Sequence, residues 1–295
     1  MKKVGKTGLI GILNPGKGGK AMIGAIIGDI VGSRFEFNNH KSKEFEFFTD
    51  ECFVTDDSIM TLAVAKALME TERAFKKGEE NFRLNNDYLD KLAENAVIYM
   101  QSIGRKYPNC GYGGRFGQWI FSENPCPYES YGNGAAMRIS PVAEIAESVE
   151  ELKALSKAVT GVSHNHVEGL KGAEATAMAI FLARTGHGKD KIRKVVSDQY
   201  YNLDFCLDDI RATYRFNETC QETVPQAIQA FLESESFEET IRNAISLGGD
   251  SDTLAAIAGS IADAYYGVPD AMVEKALEYL EDEFFEIYDE WNKTK

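Results

Sequence analysis

The stretch that most constrains the fold lies near the C-terminal end of the sequence, where two acidic residues stand at the start of an apolar run. Asp250 and Asp252 follow Gly248 and Gly249, and small and apolar residues continue from there to Gly259. Such a run predicts a buried helix. Because a buried carboxylate without a partner is costly, a second region of the chain has to meet this one.

A second acidic helix start provides that region. Thr55, Asp56, Asp57 and Ser58 directly precede an apolar segment that extends from Ile59. One capping residue would satisfy the free amides of the helix and its dipole, so four consecutive oxygen-bearing side chains exceed that need. We therefore predict that the two acidic starts meet, which places distant parts of the chain in one domain.

Metal ions would explain the meeting of so many acids. Four or five carboxylates around one pocket cannot all ionise without cations to balance them. Oxygen ligands favour Mg²⁺, Mn²⁺ or Ca²⁺ over zinc or copper, and the four histidines form no zinc signature. The pattern predicts a binuclear site with a shared water.

The composition excludes several classes of function. A net charge of −14 argues against non-specific nucleic-acid binding and against an anionic membrane surface. The sequence has no apolar run long enough to span a membrane. The five cysteines form no CxxC pair, which favours reduced thiols and a cytoplasmic protein.

The N-terminal end differs in character from the rest. Residues 1–20 are rich in glycine and lysine and predict a flexible extension. A phosphate-loop pattern there is disfavoured, because Gly18 follows Lys17 where Ser or Thr is required. Residues 21–295 are expected to form one folded domain. Its first helix carries a stripe of glycines at 24, 28 and 32, which predicts close approach by another helix or a ligand.

The remaining segments predict an all-α fold, because neither a series of hairpins nor a βαβ alternation is present. The expected helices are 55–70, 88–103, 134–149 with a break or first turn at Pro141, 152–160, 167–184, 189–201, 220–233, 237–246, 253–266 and 270–291. Segment 104–134 is rich in glycine and aromatic residues and is expected to be a long irregular functional loop.

The chain resembles the ADP-ribosylglycohydrolases, which include the enzyme that removes ADP-ribose from dinitrogenase reductase and the animal ADP-ribosyl-acceptor hydrolases. The matching motifs lie in the order found in that family, between Met22 and about Gly267. They are Gly24-Ala-Ile-Ile-Gly-Asp-Ile-Val-Gly-Ser33, Thr55-Asp-Asp-Ser58, Gly132-Asn-Gly-Ala-Ala-Met-Arg138, Ser163-His164 and Gly248-Gly-Asp-Ser-Asp-Thr253. Each motif alone is weak, but the combination is specific.

The resemblance implies a single orthogonal multi-helix bundle that binds two Mg²⁺ or Mn²⁺ ions. It also implies roles for individual residues. The implied metal ligands are Thr55, Asp56, Asp57, Asp250, Asp252 and Thr253. The implied substrate-binding residues, which would hold the diphosphate and the distal ribose, are Gly132, Asn133, Gly134, Ala135, Met137 and His164.

Three carboxylates are the candidates for proton transfer: Glu36, which matches a glutamate on a mobile flap in some family members, Asp56 and Asp250. Asp29 is expected to brace the metal ligands. His164 has an alternative reading, in which it and His166 form a turn that caps the next helix. Candidates for stacking on adenine, with core packing as the alternative, are Tyr112, Phe116, Trp119 and Tyr131.

The resemblance implies a metal-dependent hydrolase that cleaves the bond between C1″ of ADP-ribose and an acceptor. We expect a monomer whose partners are ADP-ribose or an ADP-ribosylated protein or small molecule, with nucleic acid only as a modified substrate. One alternative is a catalytically silent ADP-ribose-binding or crystallin-like protein. Another is a metal-dependent phosphohydrolase, which would release phosphate and not free ADP-ribose.

Overall fold

The computed structural model describes residues 22–75 and 81–294. These residues form α-helices and two short 3-10 helices, and the β-structure within them is a single bridge between Gly132 and Thr219. The all-α prediction is confirmed. No helix in the described ranges is long and apolar enough to cross a membrane. The predicted N-terminal extension, with its phosphate-loop pattern, lies outside the described residues.

The helices are joined by connections of very different lengths. In chain order they are α1 (Met22–Gly32), α2 (Asp56–Ala74), α3 (Asn86–Gly104), α4 (Gly114–Phe121), α5 (Gly134–Met137), α6 (Ser140–Ile145), α7 (Val149–Thr160), α8 (Val167–Arg184), α9 (Lys189–Gln199), α10 (Leu207–Arg211), α11 (Cys220–Leu232), α12 (Phe237–Ser246), α13 (Ser251–Tyr266), α14 (Asp270–Leu277) and α15 (Asp282–Lys293). Buried apolar residues from α1 to α15 belong to one hydrophobic cluster.

Most predicted helices are present, and α8 and α12 have the predicted bounds. The single helix expected over 270–291 is wrong, because the chain breaks between α14 and α15. Leu280 turns into the core at this break, with 3% of its surface exposed. Asp282 and Glu283 then lie in the first turn of α15, where acidic side chains favour the helix dipole.

Two further corrections concern short helices. The segment 104–134 was expected to be irregular throughout, but it contains α4, whose Phe116, Trp119 and Ile120 are buried on one face. Residues three and four apart lie on the same side of a helix, and this spacing explains its formation. The short helix α10 was not predicted.

The packing of α1 against α13 places the two acidic helix starts. A Cβ on Gly24 would lie 2.2 Å from Gly259 O, and one on Gly28 would lie 2.1 Å from Ala255 O. The two backbones therefore touch, and α13 is the neighbour that the glycine stripe predicted. Because of this contact, the end of α1 lies next to the start of α13, where Gly32 faces the backbone of Asp252.

Candidate active site

Asp29 of α1 holds the start of α2. Its carboxylate accepts hydrogen bonds from the Thr55 hydroxyl at 2.6 Å and from the backbone N–H groups of Thr55 and Ser58 at 3.1 Å. The Thr55 hydroxyl oxygen in turn accepts from Asp57 N at 3.3 Å. A buried carboxylate thus satisfies the amides of Thr55 and Ser58 and holds the Thr55–Asp57 turn against α1.

The start of α13 meets this turn directly. Gly248 and Gly249 have φ values of 64° and 77°, in the left-handed region that favours glycine, and they turn the chain into the helix. The Thr253 hydroxyl then donates to Asp57 Oδ2 at 3.2 Å. The predicted meeting of the two acidic helix starts is therefore confirmed.

Two groups of carboxylates could each hold a cation. Asp29, Asp57 and Asp252 form the first, and Glu36, Asp250 and Asp252 form the second. In each group the ligand atoms lie within 4.8 Å of one another. Asp57 Oδ1 and Asp252 Oδ1 are buried without a hydrogen-bond partner among the described residues. Such orphaned acidic oxygens fit a divalent cation.

The electrostatics of the acids agree with a cation site. Burial, followed by repulsion from neighbouring carboxylates, holds the pKa values of Asp56, Asp57 and Asp252 well above the usual range. Burial raises the pKa of Asp29 to about 6. Burial, with the charge of Asp250 next, raises that of Glu36 to about 7. Without cations, burial and mutual repulsion therefore favour the protonated, neutral forms of these groups.

The segment that carries Glu36 is tied to the start of α13. Asn39 Nδ2 donates to Gly249 O at 3.1 Å, and Asn39 Oδ1 accepts from Gly249 N at 2.8 Å. The same amide nitrogen donates to Glu36 O at 2.8 Å. The Lys41 ammonium donates to Tyr214 O at 2.8 Å and also to Leu247 O. Glu36 is therefore placed by contacts that the sequence motifs did not include.

A cavity of about 490 Å³ opens over these acids. All but one of the predicted substrate-binding residues line it, together with the predicted acids Glu36, Asp56, Asp57, Asp250 and Asp252 and with Thr253. Ala135 is the exception, since it is fully buried. Thr55 also lies behind the cavity wall, where its hydroxyl is bonded to Asp29. The two motif groups thus lie on one cavity.

Asn133 has an unexpected contact. Its side-chain amide donates to Asp250 Oδ2 at 2.6 Å and to the Thr223 hydroxyl at 3.2 Å. Its backbone N–H donates to Glu218 O, and the neighbouring Gly132 N–H donates to Ser130 Oγ. These two loop amides are therefore engaged within the protein. The Asn133 side chain orients a candidate metal ligand.

The aromatic candidates divide into two kinds. Phe116 and Tyr131 line the cavity. Trp119 is instead a core residue that donates its indole N–H to Val162 O at 3.1 Å. Tyr112 donates to Gly104 O at 3.2 Å. Stacking on a ligand therefore stays open for Phe116 and Tyr131, whereas core packing describes the other two.

The two histidines of the 163–166 turn have different surroundings. His166 lies before α8 and its Nδ1 accepts from Glu168 N at 3.1 Å, as a helix-capping residue does. His164 is 3% exposed and lines the cavity. The capping interpretation is thus correct for His166, and His164 belongs to the cavity.

The motifs did not identify several cavity residues. Phe216, Glu218 and Thr219 come from the connection before α11, and Arg115 comes from α4. No spacing in the sequence distinguishes these positions. Arg138, which lies behind His164, is the last residue of the 132–138 motif, and no role was predicted for it. A signal for it existed, because an arginine between Met137 and Ile139 in an otherwise small and apolar segment is unusual for a surface residue.

The chain is similar to known proteins over most of its length. The family described as ADP-ribosylglycohydrolase matches residues 17–293. The chain is 24% identical to ADP-ribosylhydrolase ARH3 of Homo sapiens, over 84% of each chain. It is 25% identical to ADP-ribosylhydrolase ARH3 of Danio rerio, over 84% of this chain and 82% of the relative. A solved ADP-ribosylglycohydrolase-related protein complex has a similar fold, with a TM-score of 0.61, 21% identity and coverage of 91% of this chain and 96% of the other.

Proposed function

Because the chain belongs to the ADP-ribosylglycohydrolase family, we propose that it hydrolyses the bond between C1″ of ADP-ribose and a modified acceptor. The observation that carries the proposal is the single cavity shared by the acids and by the Gly132–Gly134 loop with His164. Its volume of about 490 Å³ is in the range of small-molecule sites. The acids line one side, and the loop borders them.

Two divalent cations, Mg²⁺ or Mn²⁺, fit the donors on the acidic side. Asp57, Asp250 and Asp252 offer carboxylate oxygens, and bound cations would explain the two orphaned oxygens of Asp57 and Asp252. The proposed set also includes Asp56 and Thr253, which line the cavity, and Thr55, whose hydroxyl gives its hydrogen to Asp29 and would offer a lone pair of its oxygen to a cation. When bound, the cations supply positive charge that offsets the acids and attracts the ribose hydroxyls.

Glu36 is the carboxylate best placed to accept a proton. It is half-buried and lines the cavity, so its carboxylate can meet a water bound there; without cations, burial and the charge of Asp250 raise its pKa to about 7. Asp250 is less suited, because its Oδ2 already accepts from Asn133. Asp56 is also less suited, since burial and its acidic neighbours favour its protonated form without cations. Glu36 would take a proton from the attacking water as its oxygen bonds to C1″. The acceptor would leave with the electrons of the broken bond and take up a proton from solvent.

A release assay tests the proposal. The full chain with Mg²⁺ is incubated with protein substrates ADP-ribosylated on arginine or on serine, with modified DNA ends and with small ADP-ribosylated molecules. Free ADP-ribose is then separated from phosphate. We expect free ADP-ribose from at least one acceptor, and none in EDTA. Binding of ADP-ribose without release from any acceptor would support a silent binding protein, and released phosphate would support a phosphohydrolase.

Glu36→Gln then tests the assignment of the proton acceptor. We expect the rate to fall by about a hundredfold, within the usual contribution of a general base. ADP-ribose affinity should change little, because Gln keeps the size of the side chain. An unchanged rate would mean that Asp56 or Asp250, and not Glu36, accepts the proton.

A further inference from the structure

Arg138 is a fully buried cation without an acidic partner. Its exposed fraction is zero, and none of the ion pairs among the described residues includes it. Its Nε and Nη1 atoms have no hydrogen-bond partner there. The guanidinium carbon lies 5.0 Å from the centre of the Phe116 ring. Such a cation is expensive to bury, so its position calls for an explanation beyond packing.

The third nitrogen of the Arg138 guanidinium, Nη2, lies at one edge of the His164 ring. Arg138 Nη2 donates to Ser163 Oγ at 2.8 Å and lies 3.3 Å from His164 Nδ1. Ser163 Oγ is itself 2.9 Å from the same Nδ1. A guanidinium has only donors. The Ser163 oxygen accepts from it, so the Ser163 hydrogen is free to donate to His164.

Both neighbours of His164 Nδ1 are therefore donors, and this nitrogen has to be the acceptor. In a neutral imidazole the other nitrogen then carries the hydrogen. We propose that Arg138 and Ser163 act as positioning residues that hold His164 as the neutral tautomer with its hydrogen on Nε2, so that Nε2–H donates into the cavity.

The place of Nε2 supports this. A Cβ on Gly132 would lie 3.5 Å from Nε2, and one on Gly134 would lie 3.4 Å from it, so the nitrogen faces the glycine loop. Phe116 and Tyr128 flank the ring, each with its centre 5.8 Å away. Glycine at both positions leaves the space in front of the donor free for a ligand oxygen.

The surroundings also keep the ring neutral. Burial first, and the Arg138 charge second, hold the pKa of His164 well below its usual range. The titratable groups that face the ring are Arg138 and Tyr128, and burial raises the pKa of Tyr128. Both stay in one protonation state near neutral pH. His164 is thus a fixed hydrogen-bond donor and neither a base nor a cation. That ADP-ribose supplies the acceptor oxygen rests on the proposed function.

The tautomer is measured first, without ligand, by proton–nitrogen NMR of the histidine rings in the full chain, with His164→Gln to assign the signal. We expect a bare Nδ1 and a protonated Nε2 from about pH 5 to about pH 8, the range in which an ordinary histidine titrates. A hydrogen on Nδ1, or a ring that gains a proton in this range, would overturn the proposal.

Arg138→Met tests the source of the constraint. Loss of the obligatory donor should give a mixture of tautomers or a ring that titrates. Arg184→Met is the matched control, because it also removes a guanidinium, in this case a part-buried one. Arg184 lies at the end of α8, away from the cavity, and donates to Ala146 O. A His164 spectrum unchanged in a folded Arg138→Met protein would refute the role of Arg138.

A second pair of variants keeps the test open if Arg138→Met does not fold. His164→Gln keeps an N–H near the position of Nε2, whereas His164→Leu removes it. We expect Leu to weaken ADP-ribose binding about tenfold and Gln to stay within about threefold, the effect of one hydrogen bond to a charged ligand. Equal losses would contradict a donor role. If the wild type binds no ADP-ribose, the proposed function fails while the NMR result still decides the tautomer.

Discussion

The two sides of the cavity present different groups to a ligand. The acidic wall consists of Glu36, Asp56, Asp57, Asp250 and Asp252, with Asp29 buried behind them, and none of these acids forms an ion pair among the described residues. The glycine wall consists of the 132–134 loop and His164, and Arg138 lies buried behind this histidine without an ion-pair partner among the described residues.

This division lets one small cavity suit a ligand with two kinds of groups. A buried charge that the protein leaves unpaired favours an external partner of the opposite sign. The acidic wall thus favours cations, whereas the proposed Nε2–H donor of His164 on the glycine wall favours an oxygen atom of a ligand. The net charge of −14 describes the whole chain and conceals this local division.

The largest effect is expected from removing an acid common to both carboxylate groups. Asp252→Asn should reduce metal-dependent release of ADP-ribose by about a thousandfold or more, because several kcal/mol of charge stabilisation are lost. Single-turnover assays measure it. Asp208→Asn, an exposed acid paired with Arg211, is the control and should leave the rate unchanged. Retention of more than a tenth of the activity by Asp252→Asn would break the assignment of the acidic wall.

The link between the walls should have the next largest effect. Asn133→Ala removes the donor to Asp250 and should weaken Mg²⁺ affinity by about tenfold to a hundredfold, as loss of a ligand's supporting bond does. Calorimetric titration of the metal measures it. Asn95→Ala is a matched control, because Asn95 is equally buried and donates to the Thr71 hydroxyl in another part of the fold. Equal metal affinity in both variants would show that the walls act separately.

The position of Glu36 should be moderately sensitive. Asn39→Ala frees its segment from Gly249, and we expect kcat to fall about tenfold with little change in KM, because misplacement of a proton acceptor affects the reaction more than binding. A parallel rise in KM with constant kcat would mean that Asn39 shapes the binding site and not the placement of Glu36.

The smallest effect concerns stability without metal. The folded-state pKa values of Asp29 and Glu36, about 6 and about 7, lie above their unfolded values. The folded state therefore binds more protons, and stability in EDTA should decrease as pH rises from about 4 to about 7. Urea unfolding measures it, and Mg²⁺ should reduce the decrease. Glu36→Gln should flatten part of the slope, and a slope of opposite sign would contradict the charge assignment of the acidic wall.

Local chemistry determined much of this protein in advance. The periodicity of apolar residues predicted the helices, since each helix has to bury one face. The glycine stripe predicted the close contact of α1, because three glycines in a helix are unfavourable unless a neighbour uses the space. The excess of oxygen-bearing side chains at residues 55–58 and 250–253 predicted that the two regions meet.

Other features depended on the tertiary structure. Whether residues 270–291 form one helix or two depends on the place that the core leaves for Leu280, which no local pattern contains. The bond from Asn133 to Asp250 joins residues 117 positions apart. The tautomer inferred for His164 follows from donors brought together by folding. A sequence specifies which groups can bond, but only the folded chain brings them within the 3 Å or so over which hydrogen bonds act.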